Sequence, residues 1–264
     1  MNSVRQKPLH HYKLGSGPRI LLAFHGIGQD ASTCFQALEN TLGLHYTIFA
    51  IDLFFHGKSA GANREIVSKT YWKSILSDFL LKNNIADFDI MGFSMGGRFA
   101  LATLEAFPEK IEHAYLVAPD GISENPLYTL ATRNAAGRAL FRWTMQKPAF
   151  FFKTIQLLTK AGIVQSSLVR FTENVLNTPE KRGTILKSWV AFRDLRFDIA
   201  QITHLAKTNN IRIFLITGEF DKLLEQSAVS PLARLLPESQ NIQLKSGHTQ
   251  LVAKAGVWIC TLFE

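Results

Sequence analysis

Two hydrophobic periods take turns along this chain, and their alternation restricts the fold more than any other feature. Arg19–Phe24, Tyr46–Ile51, residues 88–93, His113–Val117 and residues 211–217 are short, continuous apolar blocks. Each has the length of a strand buried on both faces. Among them lie stretches of helical length at 31–42, 66–82, 95–107, 224–236 and 249–263. Such alternation predicts an α/β fold, a mostly parallel, doubly wound sheet with helices on both sides. Ahead of the first block, residues 10–14 and the turn Gly15-Ser16-Gly17-Pro18 predict a hairpin that adds an antiparallel strand.

The alternation breaks after Pro119. From about Ile122 to Leu205 apolar residues recur at helical spacing instead. Ile185, Trp189, Phe192, Leu195 and Ile199 form one stripe, and Leu168, Phe171 and Val175 another. Pro126, Pro148 and Pro179 stand where helices would begin. The segment reads as a helical insertion between two sheet strands.

A hydrophobic content of 47% with 19% charged residues describes a chain able to bury a sizeable core. Cys34 and Cys260 lie far apart and suggest reduced thiols, so a cytoplasmic location is expected. No apolar run follows the charged first residues as a secretory signal would require, and none is long enough to span a bilayer. The net charge of +8 is uneven: residues 121–200 hold 12 Lys or Arg against 5 Asp or Glu, leaving 17 and 16 for the remainder. That segment is either a solvated face of amphipathic helices or an attractor for an anionic substrate or surface. Without a recognised motif or basic tail, no nucleic-acid partner is expected.

The chemistry concentrates at Gly92-Phe93-Ser94-Met95-Gly96-Gly97, where an apolar strand runs directly into a helix ending before Pro108. A serine on so sharp a turn is strained and has its hydroxyl pushed out of the sheet, with small residues flanking it. A serine hydroxyl needs a base, a group to orient that base, and donors for an oxyanion. His248 follows the final strand and is the candidate base; Asp221 follows the strand at 211–217 and is the candidate orienting acid. Glu219 and Asp120 are rival acids. The amides of Met95 and Ile27 are the candidate oxyanion donors, Ile27 lying in the loop Phe24-His25-Gly26-Ile27-Gly28. His25 reads as an organiser of that loop, and the turn from Asp52 through His56 and Gly57 to Ser59 as architecture. Phe150, Phe151, Phe152, Trp143 and Trp189 read as core packing or the lining of an apolar pocket. No His, Cys, Asp or Glu spacing resembles a metal site and no phosphate loop occurs, so neither metal nor cofactor is expected.

Taken together, the order Ser94, Asp221, His248, the His25-Gly26 loop and the Asp52-to-Ser59 turn resemble the α/β-hydrolase superfamily over nearly the whole chain. Phe55 departs from the pattern, standing where that family frequently has glycine. The resemblance implies an α/β-hydrolase core of residues 1–120 and 206–264 with a helical cap, 121–205, over the site. It also implies a serine hydrolase acting on a small carboxylic ester or related acyl compound through an acyl-enzyme. Three alternatives remain open. Ser94 to Leu101, with Arg98 after the double glycine, is similar to the elbow of 2-succinyl-6-hydroxy-2,4-cyclohexadiene-1-carboxylate synthase, a lyase of a polyanionic substrate. A carbon–carbon bond hydrolase and a non-catalytic binding protein share the same fold.

Overall fold

The computed structural model describes residues 8–59, 61–160, 172–173, 175–224 and 226–263. Seven strands form one sheet: β1 (His11–Leu14), β2 (Arg19–Phe24), β3 (Tyr46–Ile51), β4 (Asp89–Phe93), β5 (His113–Val117), β6 (Arg212–Gly218) and β7 (Asn241–Leu244). Their spatial order is β1-β3-β2-β4-β5-β6-β7. Only β1 runs antiparallel; every other pairing is parallel.

Alternate residues of each central strand feed opposite cores. Leu22, Phe24, Ile90 and Leu116 face one layer, built on α3 (Lys69–Lys82), α4 (Gly96–Ala106), α9 (Ile199–Thr208) and α10 (Gln226–Ala233). Leu21, Ala23, Met91 and Val117 face the other, with α1 (Ala31–Phe35), α2 (Ala37–Leu42) and α11 (Leu251–Cys260). This is the doubly wound arrangement that the apolar blocks predict. Trp72 on α3 is fully buried, and its indole N–H donates to Thr103 Oγ1 on α4 at 3.0 Å. Burial of so large a ring is tolerated because its one polar atom has a partner.

The structure corrects the predicted hairpin. β1 pairs with β3, not with β2, placing His11 opposite Ile51 and Leu14 opposite Ile48. β2 has both edges taken by parallel neighbours, so β1 can add only at the free edge of β3. The connecting turn crosses the start of β3, where Ser16 and Gly17 N–H both donate to Gly43 O.

Between β5 and β6 the described residues contain helices and no strand: α5 (Pro126–Arg133), α6 (Ala135–Gln146), α7 (Pro148–Lys160), α8 (Pro179–Ala191) and α9. Each predicted proline opens a helix. Asn125 and Thr178 cap α5 and α8 with side-chain oxygens ahead of the proline. The predicted stripe from Ile185 to Ile199 is divided. Ile185 and Trp189 join a separate small core with Met145 and Leu176, whereas Phe192, Leu195 and Ile199 join the main core. The chain leaves α8 after Ala191 and re-enters a helix at an Asp198 cap, which ends the shared helical face. Leu168 and Phe171 of the other stripe lie outside the described residues.

Candidate active site

β4 delivers the chain to Ser94 and α4 carries it away, so the serine occupies a turn with no spare residue. Its φ is 50°, a left-handed value that costs a side chain about 1–2 kcal/mol. The surroundings fix that geometry: Ser94 N–H donates to Val117 O at 3.0 Å, and Ser94 O accepts from Gly97 and Asp120 N–H, both at 2.8 Å. Gly96 admits the close approach, since a Cβ there would lie 1.9 Å from Phe24 O. Met95 N–H is the next amide after Ser94 and stands at the positive end of the α4 dipole.

The loops after β6 and β7 meet beside this turn. Glu219 N–H donates to Leu244 O and Phe220 N–H to Ser246 O, which laces one loop to the other. His248 thereby sets its Nδ1 2.7 Å from Asp221 Oδ2. The His248 ring rests on Phe93, the residue before Ser94, with ring centroids 4.9 Å apart. Asp221 Oδ1 accepts from the amides of Leu223 (2.8 Å) and Leu224 (3.1 Å). Burial opposes ionisation of Asp221, but the His248 contact and the two amides outweigh it and hold the carboxyl below its ordinary range.

Both rival acids are placed otherwise. Glu219 is exposed. Asp120 forms a two-point pair with Arg98 at 2.7 and 3.1 Å. Arg98 itself is 1% exposed and further donates to Glu124 at 2.9 Å and Leu195 O at 2.9 Å, lying over the Tyr128 ring. Its charge is consumed in joining α4 to the segment that follows β5. Nothing in the spacing of Asp120 and Glu124 announces them as its partners. The contact of Phe93 with His248 is equally invisible in sequence, because it joins loops from distant strands.

The Gly26–Gly28 loop is organised by two neutral imidazoles. His25 Nδ1–H donates to Gly26 O at 2.8 Å, while its Nε2 accepts from Leu53 N–H at 3.0 Å. Burial, reinforced by His56, pushes the His25 pKa down to about 4. His56 Nδ1–H donates to Phe54 O and its Nε2 accepts from Gly28 N–H at 3.3 Å. Burial lowers its pKa as well. With both nitrogens of each ring committed, these histidines shape the loop that contains Ile27.

The Asp52-to-Ser59 turn is likewise a framework. Asp52 is fully buried and accepts from Ala31 N–H (2.8 Å), Lys58 N–H (2.9 Å) and His10 Nδ1 (2.9 Å). Gly57 has φ 53°, and a Cβ there would stand 2.3 Å from the Asp52 carboxylate. Phe55 takes φ 69° despite its bulk, and its ring meets Phe192 at 6.1 Å. Cys34 is buried, with its thiol pushed up to about 12, so it packs as a small apolar side chain.

Ile27 bridges the main core and the separate core formed by Met145, Leu176 and Ile185. Phe151, Phe152 and Trp189 pack against that second core, as expected of core residues. Trp143 and Phe150 do not: they are 43% and 61% exposed, because α6 and α7 turn other faces inward. Among the described residues one acid–histidine group, Asp89, Glu112 and His113, is close enough to chelate. It sits at the opposite strand ends from Ser94, with Arg19 on Asp89 at 3.0 Å and Arg212 on His113 at 2.6 Å. Two guanidinium groups there make it an ion-pair network. No described helix is long and apolar enough to cross a membrane.

An uncharacterized protein of Mycobacterium tuberculosis is 32% identical to this chain, the match covering 93% of this chain and 76% of that one. A thermophilic esterase from Thermogutta terrifontis superposes with a TM-score of 0.66 at 18% identity, covering 97% of this chain and 91% of that one. A meta-cleavage product hydrolase from Pseudomonas fluorescens superposes with a TM-score of 0.63 at 16% identity, covering 97% and 93%. Those two share one scaffold under different reaction names, so the likeness carries the fold alone. The family model described as alpha/beta hydrolase fold matches residues 19–254, which takes in the serine turn and both loops that meet beside it, and the chain belongs to that family.

Proposed function

We propose that this chain is a serine hydrolase of a small carboxylic ester or related acyl compound, with Ser94, His248 and Asp221 as its triad. The observation that carries the reading is the 2.7 Å contact between His248 Nδ1 and Asp221 Oδ2, on a ring seated against the neighbour of Ser94. Asp221 holds the imidazole with Nδ1 protonated, leaving Nε2 as the base. Ser94 Oγ attacks the acyl carbon as Nε2 takes its proton, and Asp221 stabilises the imidazolium. The amides of Ile27 and Met95 receive the oxyanion. The leaving alcohol departs with the proton from Nε2, and a water molecule, deprotonated in its turn by His248, releases the acid and regenerates Ser94.

The segment 121–205 serves in this reading as a cap on a core of 1–120 and 206–264. Support comes from Ile27, shared between the two cores, and from Gly28, where a Cβ would lie 2.8 Å from Val175 Cγ1. Two free cysteines fit a cytoplasmic protein. The substrate is a small molecule, no nucleic-acid partner is involved, and the chemistry calls for no cofactor. Arg98, the feature that favoured a lyase of polyanions, is engaged by Asp120 and Glu124.

The test is a turnover screen of esters, thioesters and lactones of graded chain length and charge, with Ser94→Ala as the blank. Hydrolysis of at least one ester by the native chain and none by the variant supports the reading. Turnover that survives Ser94→Ala refutes it.

A further inference from the structure

Helices α6 and α7 each carry two apolar stripes, and one of each packs into the small core. Phe141 and Met145 of α6 and Phe151 and Phe152 of α7 belong to the small core. The second stripe of α6 is Leu140 and Trp143, with Lys147 in the joint that follows the helix; that of α7 is Phe150, Lys153 and Leu157, and all six are exposed. Leu140 and Trp143 are spaced i, i+3, and Phe150, Lys153 and Leu157 i, i+3, i+7, each the spacing of a single helix face. The stripes meet where the Trp143 and Phe150 rings pack edge to face at 5.3 Å. Exposure of 59% at Leu140 and 68% at Leu157 shows that neither end of the face is covered by the described residues.

Charge identifies what suits this face. Residues 126–160 contain six Lys or Arg and no Asp or Glu. Arg138 donates to the carbonyls of Thr132 and Arg133, but Lys147 is exposed at the joint between the helices and Lys153 is exposed between Phe150 and Leu157 on α7. Cations set among Trp, Phe and Leu on two successive helices joined by one residue match an anionic bilayer. Rings and leucines enter the headgroup boundary while the ammonium groups meet lipid phosphates. A lone acid among them would be repelled, and there is none.

We infer that the exposed face of α6 and α7 docks this protein peripherally on an anionic lipid bilayer. Contact is at the surface, by side chains of two helices lying in the interface plane. The assay measures binding without turnover, so its outcome is independent of the hydrolase reading.

The experiment is flotation of the full chain with phosphatidylcholine vesicles prepared with and without phosphatidylglycerol. The native chain is expected to float with the anionic vesicles only, and to be released as salt rises. Lys147→Gln/Lys153→Gln is expected to weaken binding by roughly thirtyfold. Trp143→Ala/Phe150→Ala is expected to weaken it by about tenfold or more. Both variants replace exposed groups and are expected to melt as the native chain does. Binding by both variants equal to native, or indifference to phosphatidylglycerol, overturns the proposal. So does a dimer in vesicle-free buffer that Trp143→Ala/Phe150→Ala dissolves, with no flotation.

Discussion

His248 Nδ1 lies 2.7 Å from Asp221 Oδ2, across 27 residues of chain, because the loops after two neighbouring parallel strands are stitched together by backbone bonds. The carboxylate is spoken for on its other oxygen by two amides, so it can neither rotate away nor readily accept a proton. Under the proposed chemistry, Asp221→Asn keeps the geometry but favours the wrong imidazole tautomer. Its turnover number is expected to fall about ten-thousandfold. Steady-state kinetics on whichever ester the screen identifies checks this, and unaltered activity would return Asp120 or Glu219 to consideration.

Ser94 holds φ 50° where glycine is unstrained. Ser94→Gly is therefore expected to stabilise the fold by about 1 kcal/mol, whereas Ser94→Ala keeps the strain and gains nothing comparable. Urea unfolding of the pair decides the matter. Equal midpoints would mean that the turn relaxes in solution.

Arg98 is buried against two carboxylates that are 37% and 21% exposed. Removing it strands Asp120 and Glu124 beside an emptied space, at a cost of about 2–3 kcal/mol after allowing for their partial solvation. Arg98→Lys should recover only part of this, since an ammonium cannot make the two-point contact. An unchanged melting temperature with a raised KM would instead make Arg98 a substrate-binding cation.

His25 has its folded pKa at about 4 against an ordinary 6.5. The unfolded chain therefore binds the proton first as pH falls. Stability owed to neutral His25 is complete above pH 6.5 and declines as pH drops toward 4, by about 3 kcal/mol in all. Asp221 and Asp89, both lowered, add a further loss below the ordinary value of 3.8. Proton titration by NMR should show the His25 imidazole still neutral at pH 5.5, roughly one unit below its ordinary value. Protonation at that pH would refute the account of the loop.

The parallel strands were legible because burial on both faces demands unbroken apolar runs, as in Tyr46–Ile51. The serine turn was legible because few residues can occupy it. Asp221 and His248 could be read from their places after consecutive strands, and His25 from its place ahead of Gly26. What sequence withheld depends on which surfaces remain free once the sheet is built. β1 chose β3 because β2 had no free edge. Arg98 found partners 22 and 26 residues away, on a stretch whose path only the packing determines. The stripe ending at Ile199 failed as one face because a turn after Ala191 intervenes, with no glycine or proline to mark it. Phe55 looked like a simple departure from a glycine position, yet it keeps the left-handed backbone and adds a ring against Phe192.

The most direct measurement is acid quenching during turnover of p-nitrophenyl butyrate, followed by mass mapping of the peptides. A butyryl group on the peptide bearing Ser94, absent when Ser94→Ala is treated identically, is the predicted result. A butyryl group on any other residue, or turnover with Ser94 never modified, would contradict the claim that this hydroxyl is the attacking group.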